Sequence, residues 1–459
     1  MIYPAVVVAF GAKLLLLSWL NSFSSDVLDN FVELSTPITS FKSLREGLFL
    51  LNSNGNSTGL FRISNDLNIY DGGNVHIPPI LLHLLKHFDT LPWLNFIYCV
   101  LDSLMVLMFI NINLKFKQHC INFYSKIYKK LIFLNTDNNN IYNPNLLSTN
   151  STRFNLILIL IYCFNPLNLV SLLSKSSIIF SNFFLTLSIY SIVNLSSYES
   201  LSLIISTISL SISAYLSYNT LFLIIPLLSI FGTKKFKTLF IFLLSCSSLL
   251  LISYYLNQCN LNFLDSTYGM IILFKKIQPN IGLWWYFFIE IFKFFNDFFI
   301  GVFNIYNFIF IIPITIRFSK DKENKIEKIY SFILIFGIIT LTKSYLTIID
   351  FNFVLNLLAI LLLNIPLLIN YLKFPIVSIL IIIHSIILSP IFYYLWIFNG
   401  SGNSNFFYAI NLVFSIGFTS ILTDLVWSYL SLEYLIENKL DSKDEFTSFD
   451  QVKYRLIQY

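Results

Sequence analysis

The chain has little charge and little cysteine. Charged residues make up 12% of its 459 residues, whereas hydrophobic residues make up 56% and the mean hydropathy is +0.73. A soluble fold could not bury that much apolar surface, so the composition predicts a polytopic membrane protein. The five cysteines are scattered without a C-x-x-C pair, which indicates neither a disulfide framework nor a metal site. The net charge of +5 comes from short basic loops and does not indicate a nucleic-acid partner.

Apolar runs of membrane-spanning length follow one another along the whole chain. We predict an all-α fold with about twelve transmembrane helices, forming one membrane domain over residues 1–459. Lys13 lies inside the first run and is either paired within the bundle or snorkels to the interface. Residues 283–317 are too long for one span and are divided into an interfacial portion and a spanning helix. The predicted spans are residues 2–20, 91–112, 154–172, 177–196, 199–217, 219–231, 238–256, the last part of 283–317, 329–349, 353–371, 375–398 and 406–430.

Basic residues orient these spans. They cluster in the loops at 115–153, 234–237 and 317–328, and the positive-inside rule places such loops in the cytosol. Both termini then lie in the cytosol, including the charged tail at 433–459. Residues 23–90 form a luminal loop region, where Asn56 begins a sequon that fits this side of the membrane.

A small group of polar residues, which we call the polar island, separates the last two predicted spans. Residues 399–405 hold three asparagines, two serines and two glycines. One interpretation is a tight interhelical turn, since these are turn-forming residues. The other is a contact with a lipid headgroup, because asparagine amides both donate and accept hydrogen bonds and glycines allow close approach. The aromatic residues that follow from Phe406 would lie at headgroup depth.

A luminal first loop of this kind suggests a GT-C glycosyltransferase, which needs an acidic pair after its first span. Asp26 and Asp29 have a tolerable spacing, but acids that cap helices explain them as well. His83 and His87 are four residues apart on one predicted helix, yet no third metal ligand lies near them in the sequence. The chain therefore shows a polar membrane cavity without a convincing catalytic set.

Three other features have weak chemical signals. His76, beside two prolines, is best interpreted as a hydrogen-bonded structural residue. Serines surround Lys175 as in a Ser/Lys pair, although serine is abundant throughout. Lys343 and Asp350 are intramembrane ionisable residues for which we expect packing or partner contacts.

Several segments together resemble the PIG-U family, a membrane subunit of the GPI transamidase complex of the endoplasmic reticulum. They occur in the family's order and cover most of the chain. They are Q-P-N-I-G-L-W-W-Y-F-F-I-E-I-F at Gln278–Phe292 with I-I-P-I-T-I-R-F ending at Phe318, L-W-I-F-N-G-S-G-N-S-N-F-F-Y-A-I at Leu395–Ile410, T-P-I-T-S-F-K-S-L-R-E-G-L at Thr36–Leu48, Y-D-G-G-N-V-H-I-P-P at Tyr70–Pro79, F-N-P-L-N-L-V-S-L-L-S-K-S at Phe164–Ser176 and K-S-Y-L-T-I-I-D at Lys343–Asp350.

The resemblance implies a GT-C-like fold, similar to the GPI mannosyltransferases, that works as a non-catalytic subunit without cofactor or metal. Where those enzymes carry their acidic motif, this chain has S-T-P-I-T-S at Ser35–Ser40. The implied partners are a caspase-like cysteine protease subunit, other membrane subunits and the GPI lipid. The implied lipid-binding residues are Asn403, Ser404, Asn405, Phe406 and Phe407, with Asn280, Trp284 and Trp285 as weaker candidates.

Two alternatives remain open. An active dolichol-phosphate-sugar-dependent transferase predicts that Asp26 or Asp29 is essential for sugar transfer. A lipid scramblase or transporter predicts movement of lipid without partners.

Overall fold

The computed structural model describes residues 2–20, 27–55, 69–132, 162–163, 165–320, 324–365 and 367–441, and all regular elements in these ranges are helices. The principal helices are α1 (Ile2–Trp19), α2 (Phe41–Gly55), α3 (Pro79–Leu85), α4 (Leu91–Ile132), α5 (Pro166–Leu173), α6 (Ile178–Asn194), α7 (Glu199–Leu216), α8 (Ile224–Ile230), α9 (Lys235–Leu256), α10 (Trp284–Glu290), α11 (Asn296–Arg317), α12 (Lys325–Leu341), α13 (Ile348–Asn364), α14 (Leu367–Tyr371), α15 (Pro375–Ile397) and α16 (Ser404–Asp441). A 3₁₀ segment, Tyr218–Leu223, leads into α8, and a helical segment with a π-bulge at Asp265–Gly269 follows α9.

Six helical stretches in the described ranges are long and apolar enough to cross a membrane: residues 91–120, 199–216, 232–256, 293–317, 375–397 and 404–434. Shorter apolar helices accompany them at residues 4–19, 178–194, 218–230 and 348–364. The described part of the chain is therefore all-helical, and its long apolar helices are those of a membrane protein, as the composition predicts.

Local sequence determines where several helices begin. Proline occupies the first helical position of α3, α5 and α15, where its missing N–H costs no hydrogen bond. The side chain of Asn165 accepts a hydrogen bond from the backbone of Leu167 and so caps α5. Of the predicted span at 154–172, residues 154–161 lie outside the described ranges.

Several predicted boundaries are wrong: α4 continues to Ile132 beyond the predicted end at 112, and the span predicted at 353–371 is divided after Asn364. The sequence analysis ends one span at residue 349 and begins the next at 353, whereas α12 ends at Leu341 and α13 begins at Ile348. The reason is a capping box, in which Thr347 and Asp350 satisfy each other's backbone N–H groups. A polar segment at 342–347 therefore separates the two helices.

The predicted division of residues 283–317 into two helical portions is confirmed, and its interfacial position stays a prediction. Helix α10 ends at Glu290, the backbone of Ile291 is extended, and α11 begins at Asn296. Pro313 lies inside α11.

A buried ion pair joins two of the packed helices. The Nζ atom of Lys13 lies 2.6 Å from Oδ2 of Asp102, and both side chains are almost fully buried. Of the two alternatives for Lys13, the structure shows pairing within the bundle. An unpaired charge in this position would be costly, so α1 and α4 are held in register here.

The helices connect two ends of the molecule. We name the basic end by its exposed ion pairs, Lys234–Glu199 and Arg317–Glu433. At the opposite end, which we call the loop face, the segments 28–40, 70–78, 174–177, 266–283, 342–347 and 398–403 converge. Backbone hydrogen bonds join several of them, including Ser177 N to Thr39 O at 3.0 Å and Ile348 N to Glu33 O at 2.9 Å.

Candidate functional site

The polar island forms a tight turn on the loop face. The N–H groups of Ser401 and Gly402 donate to the carbonyl of Leu395 at the end of α15, at 3.1 and 3.0 Å. Gly400 has a φ of +64°, a left-handed conformation that glycine adopts without strain. A Cβ on Gly402 would lie 3.1 Å from the backbone of Leu395 and Trp396. Both glycines are therefore required by the shape of the turn.

Exposed polar side chains line the outer side of this turn. The Oδ1 atom of Asn403 accepts hydrogen bonds from the Ser404 hydroxyl at 2.9 Å and from the backbone N–H of Asn405 at 3.4 Å. Asn403 thus caps α16 while its amide NH₂ group stays available. The Oδ1 atom of Asn405 accepts a hydrogen bond from the hydroxyl of Tyr286 in α10. Phe406 is 57% exposed and stacks on Phe392, with ring centroids 6.2 Å apart.

Beneath the turn lies an aromatic cluster that joins α10, α15 and α16. Trp285 and Phe407 are both 0% exposed and their ring centroids lie 5.6 Å apart. Trp285 also stacks on Trp396 at 5.9 Å, and Tyr286 stacks on Tyr408 at 4.4 Å. Aromatic pairs at these separations add stability beyond their burial, so the cluster fixes the turn to α10.

Buried hydrogen bonds connect this cluster to the segment between α12 and α13. Trp284 donates from Nε1 to the carbonyl of Thr342 at 3.0 Å. The side chain of Asn280 donates to the carbonyl of Ser344 at 3.2 Å and accepts from the N–H of Gly282 at 2.7 Å. Its own carbonyl accepts from the side chain of Asn411 at 2.7 Å. Asn280 is therefore a structural junction whose amide is occupied.

The eight predicted site residues come together and fall into two groups. Three of them are exposed and one, Ser404, is half-buried, so all four can contact a ligand: Asn403, Ser404, Asn405 and Phe406. The others are buried and can only position the first group: Asn280, Trp284, Trp285 and Phe407.

The sequence analysis missed Tyr286 and Glu33. Tyr286 is the residue that joins the turn to α10, and its place directly after Trp285 in the aromatic motif could have identified it. Glu33 is buried near the cluster. Its Oε1 atom accepts a hydrogen bond from Ser389 at 2.7 Å, while Oε2 has no partner within the described part of the chain. Burial raises the pKa of Glu33 above its usual value, which favours the neutral carboxylic acid. No sequence pattern marks this contact across more than 350 residues.

Both carboxylate oxygens of the candidate catalytic acid Asp29 accept hydrogen bonds within the fold. Its carboxylate accepts hydrogen bonds from the hydroxyls of Ser35 and Ser40 and from the backbone N–H groups of Phe41 and Lys42, at 2.7 to 3.1 Å. It therefore holds the first turn of α2, where a negative charge is favourable. Asp26 and the sequon at Asn56 lie outside the described residues.

The other chemical candidates are also tied to structure. Lys343 forms a buried ion pair with Asp350 at 2.7 Å. The three serine hydroxyls near Lys175 donate to backbone carbonyls, as those of Ser174 and Ser176 do to Ser171 and Thr39. Over the described ranges, no three histidine, cysteine or acidic side chains gather as metal ligands around His83 or elsewhere.

Sequence comparison assigns this all-helical membrane protein to a class. The profile of the family described as "GPI transamidase subunit PIG-U" matches residues 7–414. The chain belongs to the PIG-U family. It is 38% identical over 435 residues to the "GPI transamidase component GAB1" of Saccharomyces cerevisiae, with 94% of this chain and 95% of the relative covered.

More distant relatives are similar along the same length. The "GPI-anchor transamidase component PIGU" of Homo sapiens is 28% identical over 464 residues, covering 95% of this chain and 96% of the human protein. The "GPI transamidase component GAB1 homolog" of Schizosaccharomyces pombe is 27% identical over 421 residues, with 90% of each chain covered.

Proposed function

We propose that this chain is a subunit of GPI transamidase that scaffolds the complex and recognises the GPI lipid without chemistry of its own. The observation that carries the lipid-binding part is the exposed polar turn at 398–405, which is fixed from below by a buried aromatic cluster. Its family membership carries the assignment to the complex. The partners we infer are a caspase-like cysteine protease subunit and further membrane subunits.

In this proposal the two groups of site residues have different tasks. Asn403 and Asn405 hydrogen-bond the glycan–phosphate region, and Ser404 lies between them. Phe406, which is largely exposed, packs on the glycerol or acyl portion, since aromatic rings favour headgroup depth. The buried residues Trp285 and Phe407 keep this surface in place.

We infer twelve spans in a GT-C-like arrangement. The protein then lies in the endoplasmic reticulum membrane with both termini on the cytosolic side. The support is the alternation of helix ends: α7, α9, α12 and α15 run from the basic end to the loop face, and α11, α13 and α16 run back. Helices α1, α4, α6, α8 with its preceding 3₁₀ segment, and the partly described span ending at α5 complete the even count. The loop face is then luminal, because the basic loops lie at the opposite end.

The support for a non-catalytic role is that several acidic side chains already have partners within the fold. Asp29, Asp102 and Asp350 each accept hydrogen bonds or form ion pairs within the fold. A carboxylate used in this way is a poor general base, since its charge is already stabilised. The alternative of an active dolichol-phosphate-sugar-dependent transferase requires Asp26 or Asp29 to act on a substrate.

The test of the lipid site is the double substitution Asn403→Asp, Asn405→Asp in the full chain within its complex. Each aspartate keeps the acceptor oxygen that caps α16 or receives the Tyr286 hydroxyl. Each removes an amide donor and repels a lipid phosphate. We expect anchor transfer to fall by about tenfold or more while the complex assembles normally.

The matched control is Asn399→Asp, which adds a negative charge to the same turn outside the proposed contact set. Pull-down in mild detergent should recover a caspase-like protease and other membrane subunits in fixed ratio with each variant. Normal transfer by an assembled double variant would refute the lipid site. Recovery of the wild-type chain alone would refute the subunit assignment.

A further inference from the structure

One histidine lies on the outward face of a long apolar helix. His384 is near the middle of α15, which contains no aspartate, glutamate, lysine or arginine and is long enough to cross the membrane. Its side chain is exposed. Exposed aliphatic side chains surround it on the same face, and together with His384 we call them the His384 stripe: Leu380, Ile383, Ile387 and Leu388.

The imidazole of His384 is too far from either end of α15 to reach water. At a rise of ~1.5 Å per residue, it lies about 14 Å from the start of the helix at Pro375 and about 20 Å from its end at Ile397. The short histidine side chain cannot span these distances, as lysine and arginine do when they snorkel. Ionisable side chains at such depth almost always face protein or a water-filled cavity.

The helix itself satisfies only one ring nitrogen of His384. Nδ1 lies 2.7 Å from the carbonyl oxygen of Leu380, which can only accept, so Nδ1 carries the proton and Nε2 of the neutral ring is an acceptor. No residue in the described ranges donates to Nε2. Helix α15 cannot supply the donor, because the backbone N–H groups of a helix interior already bond to carbonyls one turn back.

Two other exposed polar side chains on long helices differ from His384. The hydroxyl of Ser247 in α9 donates to the carbonyl of Leu244 at 2.9 Å. The hydroxyl of Thr423 in α16 donates to the carbonyl of Thr419 at 3.0 Å. A hydroxyl whose proton is used within its own helix is compatible with lipid. A ring nitrogen that needs an external donor is costly there, so His384 marks a place where α15 is covered.

The chemistry of the bilayer limits what can cover this stripe. Acyl chains have no hydrogen-bond donor, water is absent from the hydrocarbon core, and headgroups lie at its edges. A second copy of this chain, related by two-fold symmetry about His384, would bring two Nε2 acceptors together, and two acceptors cannot bond. The donor therefore belongs to a helix of a different protein.

We propose that the His384 stripe docks a transmembrane helix of another chain, which presents a hydroxyl or carboxamide donor to Nε2 of His384. Serine, threonine, asparagine and glutamine side chains form such bonds between membrane helices. The identity of that chain as a transamidase subunit rests on the proposed function, whereas the contact itself does not.

The first test is photo-crosslinking by the full chain in native membranes. Benzoylphenylalanine replaces Ile387 on the stripe or, as the matched control, Leu244 on α9, since both side chains are 58% exposed. We expect Ile387 to cross-link to a transmembrane helix of another chain, within one helical turn of a serine, threonine, asparagine or glutamine. Adding His384→Leu should lower this yield by about threefold or more, and the yield at Leu244 should not change.

The second test compares two substitutions of the same side chain. His384→Leu suits lipid but removes the acceptor, whereas His384→Gln keeps an acceptor oxygen near the position of Nε2. Because His384 is exposed, the purified chain should unfold at the wild-type temperature in both variants. Recovery of partners in mild detergent should fall by about threefold or more for His384→Leu and return toward the wild-type level for His384→Gln.

The contact is refuted if the cross-link at Ile387 is undiminished by His384→Leu, or if it forms only to lipid or to a second copy of this chain. It is also refuted if His384→Leu recovers partners as the wild type does. Recovery of the complex without a cross-link at Ile387 refutes the contact and leaves the subunit assignment intact. A His384-dependent cross-link to a helix of a chain outside the transamidase upholds the contact and refutes the subunit assignment.

Discussion

Two ion pairs at opposite ends of the molecule differ in how deeply they are buried. At the basic end, the ion pairs are solvated, as in Lys234–Glu199 with side chains 38% and 49% exposed. The loop face has an exposed pair too, Lys275–Asp265, but the side chains of its Lys343–Asp350 pair are only 4% and 1% exposed. Exposed pairs contribute little to stability, whereas a buried pair becomes costly when one partner is lost. The exposed pair at the basic end therefore contributes little to the stability of the fold, whereas the buried pair at the loop face holds the segment 342–347 to the first turn of α13.

Of the substitutions that test this comparison, Lys343→Ala should destabilise the fold most. The substitution leaves Asp350 buried without its cation, which should destabilise the fold by about 3–5 kcal/mol. Thermal unfolding of the purified protein measures the change. The matched control at the basic end is Arg317→Ala, for which we expect about 0–1 kcal/mol.

The double variant Lys343→Met, Asp350→Asn completes this test. It removes both charges and keeps an oxygen that can cap α13, so it should recover much of the loss. Equal unfolding temperatures for Lys343→Ala and Arg317→Ala would contradict the distinction between the buried and the exposed pair.

Asp29→Ala should have an intermediate effect. The substitution leaves the first turn of α2 without an acceptor, at a cost of about 1–3 kcal/mol. Asp29→Asn keeps one acceptor oxygen and should lie between the wild type and Asp29→Ala in unfolding temperature. If Asp29→Asn is fully stable but anchor attachment ceases, Asp29 has a chemical role and the loop face is not purely structural.

Glu33 should give the smallest effect, visible as a pH dependence. Its folded pKa is raised, so its contribution to stability is fully present below the unfolded value of 4.5 and is lost as pH rises through the folded pKa. Glu33→Gln keeps an acceptor for Ser389 and cannot ionise. Unfolding temperatures measured from pH 4 upward should therefore fall for the wild type relative to Glu33→Gln, and parallel curves would contradict the assignment.

Apolar runs predict the helices well, because a membrane span must be about twenty apolar residues long. The ends of α12 and α13 could not be predicted in the same way. The segment 342–347 is short, and an ion pair and a capping box determine where α13 begins. Hydropathy alone does not distinguish such a segment from a continuing helix. Of the polar island, the turn is confirmed by its backbone hydrogen bonds, and the lipid contact stays a prediction.

The site beneath the island was less accessible to sequence reasoning. The motif residues Trp284 and Trp285 could be selected from the sequence, but their burial depends on rings more than 100 residues away in α15 and α16. For His76, the expected structural hydrogen bond is confirmed at Nδ1. Its Nε2 atom has no hydrogen-bond partner among the residues that the structure describes, which could not be predicted because it follows from the packing of several loops.

The contact between the Tyr286 hydroxyl and Asn405 means that the turn becomes ordered before any ligand binds. Together with the Tyr286–Tyr408 stack, it restricts the turn to one conformation as the chain folds. The conformational entropy of the turn is lost then, and not when a ligand arrives. A long, flexible amphiphile loses much freedom of its own on docking, so a receptor surface that is already rigid leaves more of the contact energy to appear as affinity.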